Sequence, residues 1–192
     1  TLLSSPHLQL QPGDSVALIG ASGSGKSSLL RALAGIWPFS QGTVSMPQNA
    51  MFIPQNPYIP NGTLRAALSY PATIHQYSDE ALLNALQLVK LDGLKTKLDE
   101  ENNWSQQLSG GEQQRLAIAR VFLKKPAWIF ADEATSALDK NSQQFLYQQL
   151  IQLAHSQNGA FVSITHQANL IALHPIHWKV EDRTVKIQNA FS

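Results

Sequence analysis

The sequence predicts an α/β fold in which a mostly parallel sheet carries a helical insertion and a small antiparallel edge. Short apolar runs alternate with amphipathic stretches of helix length, a pattern typical of parallel strands joined by crossover helices. Glycines and prolines separate many of these runs, where they interrupt regular structure. Between Asn61 and Gln107 the alternation stops and the apolar spacing becomes helical, which predicts the insertion.

The first elements follow from the spacing of apolar residues. A strand over 16–19 ends in glycine, and a helix is predicted over 27–34, where Gly35 stops it. Further strands are predicted over 42–46 and 51–53, before three closely spaced prolines. In the insertion, Ser78 is expected to cap a helix whose apolar stripe continues to Val89.

The C-terminal part repeats the alternation of helices and strands. Apolar spacing predicts three helices, over 109–124, 141–154 and 168–173. It predicts four strands, over 128–131, 161–164, 176–180 and 184–187. The last two of these strands have a weak signal and complete the chain.

Composition excludes several classes of protein. The 192 residues suffice for one domain with its own core. The absence of cysteine excludes disulfides and thiolate metal sites. The 14 Lys and Arg residues nearly balance the 13 Asp and Glu residues without long runs of like charge, so we expect no nucleic-acid partner.

The sequence begins with Thr1 rather than methionine, and a strand pattern follows within a few residues. We therefore expect it to be a piece of a longer protein.

The segment from Gly20 to Ser27 matches the pattern G-x-x-x-x-G-K-S and lies between a predicted strand and a predicted helix. Its glycines allow backbone N–H groups to curl around phosphate oxygens, and the helix N-terminus adds partial positive charge. The lysine would reach the β and γ phosphates, and the last serine would bind Mg²⁺. The expected phosphate-binding residues are Gly20, Ser22, Gly23, Ser24, Gly25, Lys26, Ser27 and Ser28.

A second candidate feature is an apolar strand that ends in two carboxylates, Asp132 and Glu133. Beside the phosphate loop in a parallel sheet, this strand would bring Asp132 to a bound Mg²⁺ and Glu133 to the water that attacks the γ-phosphorus. A solvated strand end is the alternative, and it would be preferred if the pair stood alone. The phosphate loop makes the catalytic interpretation the better one.

A third feature opens the helix predicted from Ser109. Ser109 and Glu112 have the spacing of a capping box, which is a structural explanation for both. Capping does not explain Gly110 and Gly111, because each glycine costs a helix roughly 1 kcal/mol. We therefore expect a second anion-binding tip here.

In this order the motifs resemble the nucleotide-binding domain of ATP-binding cassette (ABC) proteins, over nearly the whole chain. The segment from Gly20 to Ser27 resembles the Walker A motif, and the segment from Leu108 to Gln114 resembles the signature motif specific to that family. The remaining correspondences are Walker B with its following acid at Trp128 to Glu133, the D-loop at Ser136 to Asp139, the Q-loop glutamine at Gln55 and the switch histidine at His166.

The resemblance implies a P-loop NTPase fold and an ATPase that uses ATP and Mg²⁺. It implies that Ser27, Gln55 and Asp132 bind Mg²⁺, that Glu133 acts on the attacking water and that His166 contacts the γ-phosphate. It further implies a head-to-tail homodimer, or a pair with a second nucleotide-binding domain. There Ser109, Gly110 and Gly111 act on the partner's ATP, and Asp139 also acts across the dimer.

The resemblance also implies an ATP-binding core over 1–60 and 108–192 and a helical subdomain over 61–107. Local features such as Trp37-Pro38, Tyr70-Pro71 and Trp104 resemble exporter-type cassettes of peroxisomal fatty-acyl transporters and their bacterial relatives, associated with vitamin B12, antimicrobial peptides or long-chain acids. Such cassettes imply a membrane permease fused upstream and a position at the cytoplasmic face of a membrane. The alternatives are a soluble ABC ATPase of translation or DNA repair and a catalytically silent nucleotide-binding scaffold.

Overall fold

The structure is a computed structural model that describes residues 8–37, 45 and 48–189. Its contacts group the described residues into two compact units. The first unit draws on Thr1–Ile53, Pro126–Glu133 and Tyr147–Ser192, and the second comprises Pro54–Lys125 and Ala134–Leu146.

Outside the helical insertion and before the last two strands, the described elements alternate between strands and helices, as the sequence predicts. In chain order they are β1 (Ser15–Gly20), α1 (Lys26–Leu33), β2 (Ala50–Ile53), β3 (Gly62–Thr63), α2 (Leu64–Ser69), α3 (Asp79–Leu88), a 3₁₀ helix (Asp92–Lys97), β4 (Glu101–Asn102), α4 (Trp104–Gln107), α5 (Gly110–Lys124), β5 (Trp128–Asp132), α6 (Lys140–Ser156), β6 (Ala160–Ile164), α7 (Ala168–Ile171), β7 (Ile176–Glu181) and β8 (Thr184–Asn189).

The first unit is built on a six-stranded sheet with the order β2-β5-β6-β1-β7-β8. Every pair of neighbours is parallel except β7 and β8, which run antiparallel at the edge. This arrangement confirms the predicted mostly parallel sheet with a small antiparallel edge. Parallel pairing also brings the carboxyl ends of β1, β5 and β6 together, because Leu18 and Asp132 both pair in register with Ile164.

Side chains along β6 point alternately to the two faces of the sheet. Val162 and Ile164 point to one face, where they join a core that includes Leu30 of α1. Phe161 and Ser163 point to the other face, where both contact Tyr147 of α6. Helices therefore cover both faces of this strand, which explains why all five of its residues are buried.

The second unit contains the helical insertion. Helices α2 and α3 pack against α5, and the 3₁₀ helix packs against α3. The predicted cap is confirmed, since the Ser78 hydroxyl accepts a hydrogen bond from the N–H of Ala81 at 3.2 Å. Strands β3 and β4 form a separate two-stranded antiparallel sheet within this unit.

The strand predicted over 42–46 lies largely outside the described residues. The helical subdomain proposed over 61–107 falls wholly within the second unit, whereas the proposed ATP-binding core contributes residues to both units. Among the described helices, none combines the length and the apolar composition needed to cross a membrane.

Candidate nucleotide-binding site

The loop between β1 and α1 has the backbone form that an anion cradle requires. Gly20 and Gly25 have positive φ angles of 149° and 99°. A Cβ atom at Gly20 would lie 2.5 Å from the carbonyl oxygen of Val180, so only glycine fits there. Helix α1 begins directly after Gly25, with no side-chain cap and no acidic residue in its first turn. Its first-turn N–H groups are therefore oriented toward a site suited to an external anion.

Lys26 lies folded into this loop with only 6% of its surface exposed. Its Nζ donates hydrogen bonds to the carbonyl oxygens of Gly20 at 2.9 Å and Ala21 at 2.7 Å. Burial lowers the pKa of Lys26, and the charges of Glu133 and Asp132 partly oppose that shift. The loop thus holds the ammonium where a phosphate would bind. Both of these hydrogen bonds are made to neutral carbonyl oxygens.

Ser27 and Asp132 meet beside the loop. The hydroxyl of Ser27 donates a hydrogen bond to Oδ1 of Asp132 at 3.1 Å, and the guanidinium of Arg31 lies 3.8 Å from Oδ2. Burial raises the pKa of Asp132, while the Ser27 hydrogen bond and the charge of Arg31 act in the opposite direction. The hydroxyl of Ser27 and the carboxylate of Asp132 are therefore neighbours, and both are oxygen groups of the kind that hard cations prefer.

Glu133 and His166 form the other half of the site. His166 Nε2 lies 3.2 Å from Glu133 Oε1, and the two side chains are 52% and 29% exposed. The N–H of Glu133 donates to the carbonyl oxygen of Ile164 at 3.1 Å, and its φ of 48° turns the chain out of strand geometry. Glu133 comes directly after β5, and His166 comes two residues after the neighbouring strand β6. Their side chains therefore meet at the carboxyl end of these parallel strands.

The second unit carries the signature segment. The predicted capping box is present: the Ser109 hydroxyl accepts from the N–H of Glu112 at 3.3 Å, and Glu112 Oε2 accepts from the N–H of Ser109 at 2.9 Å. Ser109 and Gly110 are exposed. A Cβ atom at Gly111 would lie 3.0 Å from the carbonyl oxygen of Ala137, whereas a Cβ at Gly110 would meet only the Ala137 Cβ, at 3.9 Å. Packing thus accounts for Gly111, which the sequence argument attributed to ligand binding, but not for Gly110.

The segment that resembles the D-loop is held to helix α5 by two side chains. Gln114 is buried; its amide nitrogen donates to Ser136 Oγ at 3.2 Å, and its amide oxygen accepts from the N–H of Ala137 at 2.9 Å. Arg115 Nη2 lies 3.4 Å from Asp139 Oδ2. The Ser142 hydroxyl and N–H hold the pKa of Asp139 below its usual value, and Arg115 adds to that effect.

Gln55 lies in the second unit with its residue surface exposed. Its backbone carbonyl oxygen accepts a hydrogen bond from the Gln114 amide at 3.0 Å. Gln114 therefore joins the Q-loop and D-loop segments within this unit.

Three residues of the two units were not assigned a role from the sequence. Arg31 lies one helical turn after Ser27, a spacing that places both on one face of α1. Gln114 is a polar residue at a buried helix position, which signals an internal hydrogen-bonding role. Arg115 has no comparable signal, because its partners Ser142 and Asp139 are remote in sequence.

The described residues contain no group of three or more histidine and acidic side chains that could hold a metal ion without other ligands.

Comparison with known proteins assigns the chain to a family. The family model described as ABC transporter matches residues 3–136, more than half of the chain. The chain belongs to the ABC transporter family and forms its ATP-binding domain, which is an ATPase.

Relatives in bacteria and animals agree with this assignment. An uncharacterized ABC transporter ATP-binding protein of Synechocystis is 45% identical over 87% of this chain and 25% of its own length. The lysosomal cobalamin transporter ABCD4 of Homo sapiens is 36% identical over 93% of this chain and 31% of its own length. A solved structure of a bacterial Atm1-family ABC exporter with ATP bound matches with a TM-score of 0.78 and 26% identity, over 93% of this chain and 34% of that one. This chain therefore spans about a quarter to a third of the length of these relatives.

Proposed function

We propose that this chain is the motor domain of an exporter-type ABC transporter, in which ATP binding and hydrolysis drive movement of a fused membrane permease. The main observation in support of the proposal is that four side chains come together at the carboxyl end of the parallel strands in the first unit. Lys26 and Ser27 come after β1, Asp132 is the last residue of β5, and Glu133 comes directly after it. These are the groups that phosphate binding and water activation need.

The phosphate groups of ATP would lie on the N–H groups from Ser22 to Ser28. On binding, the Lys26 ammonium would exchange its two carbonyl partners for β and γ phosphate oxygens. The acceptor would then be charged as well as the donor, so phosphate oxygens attract the ammonium more strongly than the neutral carbonyl oxygens do. The left-handed glycines support this role because they leave the backbone open to a close anion.

The residues present fit Mg²⁺. Ser27 and Asp132 already share one hydrogen bond, so their oxygens face a single point, and Gln55 would supply a further oxygen as the resemblance implies. When bound, the ion would neutralise charge on the β and γ phosphates. The Ser27 hydrogen bond and the charge of Arg31 would favour the ionised carboxylate of Asp132, whose pKa is raised by burial.

Hydrolysis would depend on Glu133 and His166. The Glu133 carboxylate would take a proton from the attacking water. At the same time the water oxygen would form a bond to the γ-phosphorus, and the bond between the γ-phosphorus and the bridging oxygen of ADP would break. His166 would hold the γ-phosphate and, through its contact with Oε1, the carboxylate as well. Positioning of this kind supplies most of the catalysis in phosphoryl transfer, because little covalent chemistry falls to the protein.

Two copies would clasp two ATP molecules, or one copy would pair with a second nucleotide-binding domain. The exposed tip formed by Ser109 and Gly110 supports this proposal, since a phosphate-binding helix start is useful only where a ligand can reach it. In the dimer, Ser109, Gly110 and Gly111 would contact the γ-phosphate held by the partner. Asp139, exposed and fixed by Arg115, would act across the same interface.

Alanine at Gly110 tests the proposed dimer. A Cβ at this position meets no close neighbour within the chain, so Gly110→Ala should leave thermal stability unchanged or raise the unfolding free energy by up to about 1 kcal/mol. The same methyl group would stand where the partner's γ-phosphate approaches. ATPase activity should therefore fall about a hundredfold, measured as kcat in the full-length protein.

Gly111→Ala is the matched control, because its Cβ would press against the Ala137 carbonyl oxygen and should lower the melting temperature. If Gly110→Ala folds normally and keeps wild-type kcat, the signature tip does not contact nucleotide and the proposed dimer is wrong.

The match to transporters three to four times longer than this chain supports a membrane permease in the same polypeptide, with this domain at the cytoplasmic face. We expect the coding sequence upstream of Thr1 to contain six apolar segments of about 20 residues each. Reading that sequence is the measurement. An upstream region without them would favour a soluble ABC ATPase instead.

A further inference from the structure

A group of buried polar side chains in the first unit has no part in the proposed chemistry. Tyr147 of α6, Ser163 of β6 and His174, which follows α7, are each at most 1% exposed. Buried polar groups cost stability unless they are hydrogen-bonded, and natural cores contain few of them. Three at one place, next to the strand end that carries His166, therefore call for an explanation.

The three side chains form one connected hydrogen-bond network. The Tyr147 hydroxyl donates to Ser163 Oγ at 2.6 Å, and Ser163 Oγ lies 3.0 Å from His174 Nε2. Ser163 lies on β6, two residues before Thr165. Thr165 Oγ1 accepts from the N–H of Gln167 at 3.3 Å. The network thus fixes β6 three residues before His166.

Each hydroxyl of the network has a single hydrogen, and its oxygen can accept two hydrogen bonds. Tyr147 donates to Ser163, and Ser163 Oγ shares a second hydrogen bond with His174 Nε2. Burial, with a smaller effect of His177, lowers the pKa of His174 to about 4, so the imidazole is neutral at ordinary pH. The neutral ring has one N–H, so Nε2 either donates to Ser163 or accepts from it.

Ring packing fixes the terminal imidazole. Phe161 stacks on His174 with ring centroids 5.6 Å apart and an interplanar angle of 17°. Tyr147 meets both rings edge-on, at 5.2 Å from Phe161 and 5.6 Å from His174. The imidazole cannot turn without disturbing two other rings, so the network has a rigid end.

We propose that Tyr147, Ser163 and His174 are positioning residues for ATP hydrolysis. Through Ser163 they hold the end of β6, which leads into His166, and keep its imidazole within reach of the water-activating carboxylate. The inference rests on the proposed role of His166. It adds a connection between the buried face of the sheet and the switch position.

Tyr147→Phe is the main test, because it removes the phenol hydrogen bonds and keeps the ring packing. In the full-length protein, kcat should fall about tenfold while the KM for ATP changes less than twofold, since no member of the network touches the phosphate loop. His174→Leu should have the same effect. His174→Gln should have a kcat much closer to wild type than His174→Leu has, because the glutamine amide can form a hydrogen bond with Ser163.

The matched control is His155→Leu. His155 Nε2 lies 3.1 Å from Ser15 Oγ, so this variant also breaks a histidine–serine pair in the same unit, here at an exposed histidine with no connection to 165–167. This variant should keep wild-type kcat. Equal losses of kcat in His155→Leu and His174→Leu would mean that breaking a histidine–serine pair lowers activity only by disturbing the fold. The inference would then be wrong.

A double-mutant cycle separates positioning from simple stabilisation. If the network acts through His166, Tyr147→Phe should cause no further loss of kcat in a His166→Ala background; an independent, additive loss would overturn the inference. If His166→Ala alone keeps full activity, the proposed role of His166 fails and the inference fails with it. If His166→Ala is inactive but Tyr147→Phe and His174→Leu fold and keep wild-type kcat, only the positioning inference is wrong.

Discussion

Replacing Glu133 with glutamine is expected to abolish steady-state ATP hydrolysis while ATP binding is retained. Glutamine has the shape of glutamate but cannot take a proton from water, and loss of a general base typically costs a factor of about 10² to 10⁴ in rate. Because the nucleotide is bound but not hydrolysed, the dimer should accumulate. The measurements are phosphate release, ATP binding and light scattering with the full-length protein.

Glu181→Gln provides the control for this experiment. Glu181 ends β7 and pairs with Lys179 and Lys186, and exposed ion pairs of this kind contribute little to stability. The control should hydrolyse ATP at the wild-type rate. An unchanged rate in Glu133→Gln would remove Glu133 from the proposed mechanism, and loss of ATP binding in that variant would assign it to binding instead.

Replacing Lys26 with alanine should remove ATP binding. The ammonium is the buried cation of the phosphate loop, and hydrogen bonds to charged groups contribute about 1.5–3 kcal/mol each. Loss of the two bonds expected to the β and γ phosphates should raise Kd for ATP by at least about a hundredfold. Isothermal titration of ATP measures this directly.

Lys97→Ala is the matched control, because Lys97 is exposed and pairs only loosely with Glu100, at 3.9 Å. It should bind ATP normally. Full-strength binding by a folded Lys26→Ala variant would contradict the assignment of the loop from Gly20 to Ser27 as the phosphate cradle.

The sequence predicted the elements whose signal is local. The strands near the site are short apolar runs with sharp ends, and the start of α5 is marked by the Ser109 and Glu112 pair that the structure confirms as a capping box. The sheet order could not be predicted, because it depends on which strands pair across long crossovers. Strands β3 and β4 were missed, since a two-residue strand has no periodicity to detect.

The same division applies to the candidate site. The resemblance placed Gln55, Asp139 and His166 by motif order, and their catalytic roles remain predictions. Contacts between distant segments could not be foreseen: the approach of Gly111 to the Ala137 carbonyl oxygen is a property of the folded chain. The buried network around Tyr147 was missed for the same reason, since Tyr147, Ser163 and His174 lie on three different segments.

The left-handed backbone at Glu133 has an evolutionary consequence. With φ at 48°, this residue occupies a region that costs most side chains roughly 1–2 kcal/mol and that glycine enters freely. Substitution by glycine or asparagine at 133 would thus relieve backbone strain and, on the proposed mechanism, abolish nucleotide hydrolysis. On that mechanism, selection for hydrolysis rather than for folding would keep an acid at this position.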